Sequence, residues 1–323
     1  MNCYGCLGEG LKLIEGYCFT CLDRLFEGRT IPSTLDFERN VYGDFKAHQA
    51  VGLSISGVQS KVSLKIVNNA LEMTEREGEF ILKPSITYDG IKYGKDSPAN
   101  EHLSMQMAGQ LFGIIVAENA LVKFSNGDLA YMTKRFDRDG KRRLLMEDFA
   151  QILGVTGDSD SYYKYNEKSY ENIWDIPNIT AIERLRYFQQ IAFNFMFDNN
   201  DAHLKNFAMV EIDGIMTLSP AFDLLNTRLH LDHDKLPAMN FFKKRERSRI
   251  PHNSYRYGKK DLIELAERLG IPLKMAEKFI QTFDKQQTKV LQMIQQSYLS
   301  EKAKKRFWYL YQQKLSLIST YPS

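Results

Sequence analysis

The segment Asp201-Ala-His-Leu-Lys-Asn206, followed by Phe222-Asp223, limits this chain more than any other stretch of its sequence. An acid, a carboxamide five positions later and a second acid cooperate only if the fold brings a loop and a later strand end to one place. Gathered there, they form a minimal kit for holding Mg²⁺ and phosphates. The first acid can accept a proton from an attacking hydroxyl, while Asn206 and Asp223 offer the hard oxygen ligands that Mg²⁺ prefers. The competing reading is a solvated Asn/Asp-rich turn, since these residues favour turns in any case.

Composition narrows the setting. A chain of 323 residues suggests about two domains. Its 43 Lys+Arg against 40 Asp+Glu argue against direct nucleic-acid binding as a general coat. No apolar run approaches the roughly 18 residues of a membrane helix. The start, Met-Asn-Cys-Tyr-Gly-Cys, lacks the basic and apolar regions of a secretory leader, so a cytoplasmic location is expected.

All four cysteines lie in the first 21 residues, as Cys3-x-x-Cys6 and Cys18-x-x-Cys21. Two such knuckles around a Gly-containing hairpin suit tetrahedral Zn²⁺. Disulfides and unligated thiols compete with that reading, and a reducing compartment disfavours the first. Four thiolate ligands leave no open coordination position, so the expected role is structural and peripheral to any chemistry.

Three regions are expected: a four-cysteine zinc knuckle over 1–28, a sheet-rich lobe over 29–140 and a helical lobe over 141–323. Residues 28–50 read as a wrapping linker. Val62, Leu64 and Ile66 alternate as a half-buried strand does, and Glu79-Phe-Ile-Leu-Lys83-Pro84 reads as a short strand. Ser97-Pro98 opens a helix that Gly113 ends. Strands are expected over 114–124 and 129–133, then helices over 144–153, 180–197, 259–269, 273–297 and 300–318.

Gly57, among Ser54, Ser56, Val58, Gln59 and Lys61, opens a Gly/Ser turn whose backbone N–H groups can surround phosphate oxygens, though it is not a Walker A loop. Lys83 at a strand end and Glu101 on the next helix have the order of a kinase nucleotide anchor. Each alone also reads as a surface lysine or a helix-terminal charge. In kinases a D-x-x-x-x-N motif and a later Asp follow in the same linear order. On this reading Lys83 and the Gly57 loop position ATP, Asn206 and Asp223 hold Mg²⁺, and Asp201 is the base. Lys205 reaches the γ-phosphate, and His203 fixes the loop. Two features are set aside: a basic run over 242–260, read as a solvated loop, and His230-Leu-Asp-His233, read as an exposed loop.

The runs Ser54-Ile-Ser-Gly-Val-Gln-Ser-Lys61, Phe80-Ile-Leu-Lys83-Pro, Asn100-Glu101-His, Lys134-Arg135-Phe-Asp-Arg138, Glu147-Asp148-Phe, Asn199-Asn-Asp201-Ala-His-Leu-Lys-Asn206 and Pro220-Ala-Phe-Asp223 resemble HipA-type toxin kinases. The resemblance implies an α+β, two-lobed protein-kinase-like fold and an ATP/Mg²⁺-dependent serine/threonine protein kinase. It adds Lys134 and Phe136 to the nucleotide-binding set and makes Ser54 or Ser56 the autophosphorylated residue. It further implies an aminoacyl-tRNA synthetase as target and a HipB-like DNA-binding antitoxin. The chain is too short for the extra N-terminal subdomain of the long form. It looks more like the short HipT form, whose missing piece is a separate HipS-like protein. The alternatives are a catalytically silent partner-binding regulator and a small-molecule kinase.

Overall fold

A computed structural model describes residues 1–38, 61–140, 142–155, 168–231, 237–243 and 257–319. Ser54, Ser56, Gly57, Val58 and Gln59, with most of the basic run and Asp232 to Asp234, lie outside the described residues.

The first half is an antiparallel sheet of β1 (Val62–Val67), β2 (Ala70–Met73), β3 (Phe80–Pro84), β4 (Asn119–Lys123) and β5 (Leu129–Lys134), in the order β2-β1-β3-β5-β4. Side chains alternate between faces along a strand. On β3, Phe80 and Leu82 therefore face one way, toward Phe26 of α1 (Phe19–Phe26), whose ring lies 5.6 Å from that of Phe80. Lys83 faces the other way, toward α2 (Ser97–Phe112).

Helix α2 has buried residues on every side, as a helix sandwiched between layers does. Gly113, at φ 65°, ends it in the left-handed conformation that glycine adopts without cost. Its last residue, Phe112, lies 4.7 Å from Phe283 and 5.6 Å from Phe193 in the helical half. One helix thus belongs to both halves.

The expected linker and the Cys segment are not separate from this core. Leu35 N–H donates to Lys123 O and Lys123 N–H to Ser33 O, each at 2.7 Å, so residues 33–35 cover the open edge of β4. Cys3, Tyr4, Tyr17, Cys18 and Cys21 share one apolar cluster with Leu64, Phe80, Leu82 and Val122, while Leu7 joins the cluster of the helical half.

The short β6 (Arg138–Asp139) and β7 (Arg142–Arg143) lead into the second half. There the expected helix over 144–153 is instead a strand, β8 (Met146–Asp148), and one turn of helix, α3 (Phe149–Ile152). The strand forms because β9 (Ala208–Ile212) pairs with it, Asp148 opposite Ala208, and Asp148 then caps α3 in a capping box with Gln151. β10 (Ile215–Leu218) completes this sheet. Among the described residues, the further α-helices are α4 (Ala181–Met196), α5 (Lys259–Arg268), α6 (Leu273–Lys285), α7 (Gln287–Gln296) and α8 (Glu301–Ser319). The single helix expected over 273–297 is two, separated at Gln286, whose ψ of 5° leaves the helical range.

Thr180 and Glu183 form the capping box of α4: Thr180 N–H donates to Glu183 at 2.7 Å, and Glu183 N–H donates back at 3.2 Å. Glu183 also accepts Leu218 N–H at 3.1 Å, tying α4 to β10. Glu183→Ala removes a cap and leaves that buried N–H unpaired, so chemical denaturation should show a loss of about 2 kcal/mol.

Candidate functional site

Lys83, only 4% exposed, is held between two carboxylates. Its Nζ lies 2.6 Å from Glu101 Oε1 and also contacts Asp223 Oδ1. The aromatic face of Tyr131, opposite Lys83 in the β3–β5 register, lies 5.5 Å away. Lys61 Nζ stands 3.8 Å from Asp223 Oδ2, and the amide of Asn206 donates to the same oxygen at 3.4 Å. Sheet, helix and two C-terminal-half loops thus meet around the Lys83 ammonium and the Asp223 carboxylate.

Burial alone would lower the pKa of Lys83, but the charges of Asp223 and Glu101 outweigh it and the group is raised. For Asp223 burial works upward, and Lys83 followed by Lys61 overcomes it, holding the acid well below the usual carboxylate range. Burial dominates for Glu101 and pushes it up to about 7 despite Lys83. Asp223 therefore stays ionised beside Lys83 and exposed Lys61, with the amide of Asn206 next to it. Such a site fits a divalent cation. Asp223 supplies a hard oxygen, and the Asn206 Oδ1, which accepts His203 N–H at 3.2 Å, keeps a second lone pair for a ligand.

The loop that presents these groups is fixed from behind. Asp198, at the C-terminal end of α4, contacts Lys314 of α8 at 3.0 Å and Arg228 at 3.3 Å, all three buried. Its carbonyl accepts from both Thr227 N–H and Thr227 Oγ1 at 3.0 Å, and Thr227 Oγ1 accepts Asn200 N–H at 3.1 Å. The two loops carrying Asn206 and Asp223 are therefore one assembly. Asn199 adds a bond from its amide to Asp223 O at 3.0 Å. Asp223 itself sits at φ 56°, a left-handed conformation that Asp tolerates better than most residues.

Helix α2 locks onto this assembly one residue before Glu101. Asn100 donates to Asn226 O at 2.9 Å and accepts Asn226 N–H at 3.1 Å, and its amide also donates to His230 Nε2 at 2.9 Å. His230 Nδ1 is bonded to Lys92 O at 2.8 Å. His230 is thus buried, not part of the exposed loop expected from the sequence, and both its nitrogens are taken by hydrogen bonds within the protein.

Lys61, Lys83, Glu101, Asn206 and Asp223 are brought together. Asp201 and His203 form the turn before Asn206, His203 N–H donating to Asp201 O at 2.8 Å, and Lys205 is exposed on the same turn. Phe136 packs against Phe222, ring centroids 5.5 Å apart and tilted by 37°, beside Asp223. Lys134 departs from the set: three residues along β5 from Tyr131, it pairs with Glu27 at 3.3 Å. Asp198, Arg228 and Lys314 were not singled out from the sequence, because a buried charge is their one signal and burial is not visible in local pattern; Asn100 entered only as part of the run Asn100-Glu101-His.

The four cysteines converge as expected. All are free thiols, and their Sγ atoms lie within 4.8 Å of one another. Tetrahedral Zn²⁺ with Zn–S of about 2.3 Å requires sulfurs about 3.8 Å apart, and Cys6 and Cys18 are 3.8 Å apart. Cys3 Sγ accepts N–H from Gly5 at 3.3 Å and from Cys18 at 3.2 Å. Hydrogen bonding from Cys21 and Cys6 holds the Cys3 thiol far below its ordinary value, and the same contact with Cys3 pushes Cys21 far up. A Cβ on Gly5 would meet Cys21 Sγ at 2.5 Å, so glycine is required there.

Residues 53–293 match the family described as HipA-like C-terminal domain. A Haemophilus influenzae protein named "Putative kinase" is 27% identical over 316 residues, covering 90% of this chain and 89% of its own length. The Sinorhizobium fredii "Putative kinase Y4dM" is 31% identical over 212 residues, 59% of this chain and 49% of that protein. The HipA chain of the Shewanella oneidensis HipA, HipB and operator DNA complex superposes with a TM-score of 0.60 at 20% identity, over 84% of this chain and 67% of that one. That likeness establishes the expected two-part α+β fold. Among the described residues, no helix is long and apolar enough to cross a membrane.

The raised pKa of Glu101 carries a sign. The folded value of about 7 exceeds the ordinary 4.5, so the native state holds the extra proton between those limits and stability falls as pH rises through them. Glu101→Gln cannot ionise. It should match the parent protein at pH 5 and exceed it by about 2 kcal/mol at pH 8 in thermal unfolding.

Proposed function

The chain belongs to the HipA-like C-terminal domain family, and from that premise we propose that it is an ATP-dependent serine/threonine protein kinase of the toxin type. The observation that carries this reading is the convergence of Lys83, Glu101, Asn206 and Asp223 at one buried point. Lys83, aimed by Glu101, anchors the α- and β-phosphates. Asn206 and Asp223 are the groups that would hold Mg²⁺, which supplies charge neutralisation on the phosphates when bound. The half-buried Phe136–Phe222 pair offers an apolar wall for the base. Asp201 orients the substrate hydroxyl and accepts its proton, and Lys205, exposed on the same turn, meets the γ-phosphate. Transition-state charge resides on phosphoryl oxygens, so positioning and electrostatics carry most of the rate.

The finer assignments rest on family resemblance. Ser56, Gly57, Val58 and Gln59 cover the phosphates, and Ser54 or Ser56 accepts the autocatalytic phosphate. The target is an aminoacyl-tRNA synthetase. A HipB-like antitoxin binds the kinase, consistent with the HipA, HipB and operator DNA assembly of the Shewanella protein, and a HipS-like protein completes this short HipT form. Cys3, Cys6, Cys18 and Cys21 hold one structural Zn²⁺, for which their sulfur spacing is suited.

Incubation with labelled ATP and Mg²⁺ should place phosphate on Ser54 or Ser56 and on a protein target. Asp201→Asn should lower transfer about 10²-fold or more while leaving ATP affinity within a few-fold, because only the proton acceptor is lost. Transfer at the parent rate in that variant would remove Asp201 from the mechanism.

A further inference from the structure

The first 21 residues do more than enclose four thiols; they bond to three separate parts of the molecule. Tyr17 Oη donates to Leu121 O and Leu121 N–H donates to Tyr4 O, both at 2.9 Å, fixing the segment to β4. Gln110 donates to Cys6 O at 3.0 Å, fixing it to α2. Asn2 donates to Gln296 O at 2.7 Å, Tyr298 Oη bonds back to Asn2 O, and the Tyr4 and Tyr298 rings stack at 4.8 Å. The last set belongs to the connection between α7 and α8 in the helical half. A Cys segment serving only its own folding would not need to span both halves.

The contact nearest the chemistry is made by His102. Its side chain is buried, and Nε2–H donates to Gly5 O at 2.8 Å. Gly5 lies between Cys3 and Cys6, and its own N–H donates to Cys3 Sγ. The residue that accepts from His102 is therefore the one whose N–H reaches the Cys3 thiol. His102 directly follows Glu101, which follows Asn100. Three consecutive residues of α2 thus reach the Cys segment, the buried lysine and the Asp223 loop. Successive helix positions are about 100° apart, so each faces a different neighbour. Moving α2 to suit one contact disturbs the other two.

We propose that a Zn²⁺-class cation bound by Cys3, Cys6, Cys18 and Cys21 is the brace between the two halves, and that His102 relays its presence to Glu101. Cation binding releases thiol protons to solvent and fixes the loop 3–8. Gly5 O is then held where His102 requires it, and α2 presents Glu101 to Lys83. His102 is a positioning residue; it touches neither phosphate nor Lys83. The metal thereby governs nucleotide binding from outside the nucleotide site. This rests on the kinase reading for its nucleotide readout only, since order in α2 can be measured without it.

The test uses the full chain, assayed for zinc content, amide hydrogen exchange over 97–112 and Mg²⁺–ATP affinity by calorimetry. One zinc per chain is expected. Removing it with a chelator under reducing conditions should speed exchange around residues 99–104 and weaken ATP binding, each about ten-fold or more, with both restored by added zinc. A stripped chain that keeps its α2 protection and its affinity overturns the proposal, as does a chain that takes up no zinc. Should stripping unfold the whole protein, zinc-loaded His102→Ala decides. It should keep one zinc yet lose ATP affinity to a similar degree, and His102→Gln, which retains an N–H donor, should recover it. Parent-like affinity in zinc-loaded His102→Ala overturns the relay. If zinc-loaded parent protein binds no ATP, the kinase reading fails instead, and α2 exchange with and without zinc still decides the brace.

Discussion

One buried ammonium organises this protein. Lys83 is drawn from a central strand, Glu101 from the helix sandwiched between the halves, and Asp223 from a loop of the helical half. Desolvating such a group is tolerable only with partners at contact distance. The requirement acts in both directions, because the lysine is also what keeps the partly buried Asp223 ionised. A fold that satisfies all three must close its two halves to a defined separation. That separation is what a phosphate-bearing ligand would meet.

Around this point the structure adds supports that share no chemistry with it. Asp198, Lys314 and Arg228 form a second buried charge group, which fastens α8 to the loops bearing Asn206 and Asp223. Asn100 fastens α2 to the same loops, and His102 fastens α2 to the Cys segment. Breaking any of these would leave a polar group buried without its partner, a larger penalty than the net gain from the bond itself. The supports therefore fix position more than they add stability, which is what a site relying on geometry requires.

Local pattern carried much of the architecture. The alternation around Val62 marked β1, Ser97-Pro98 and Gly113 bracketed α2 to within a residue, and the helix expected over 180–197 is α4. The order of Lys83, Glu101, Asn206 and Asp223 was enough to anticipate their meeting. What stayed hidden was determined at long range. Strand β8 exists because β9, about 60 residues on, pairs with it, and Met146–Asp148 is too short to show a period. The break at Gln286 follows no proline or glycine. The Cys segment read as an independent knuckle because its bonds to Gln296 and Tyr298 span almost the whole chain.

The central claim is that the Lys83–Glu101–Asp223 cluster is a nucleotide site completed by a divalent cation. Calorimetric titration of ATP into the parent protein and into Lys83→Met, each with and without Mg²⁺, tests it most directly. The account predicts that Mg²⁺ tightens binding to the parent protein about ten-fold or more and that Lys83→Met, shown to be folded, loses most of that affinity. Equal affinity in the two proteins, or binding indifferent to Mg²⁺, would contradict it.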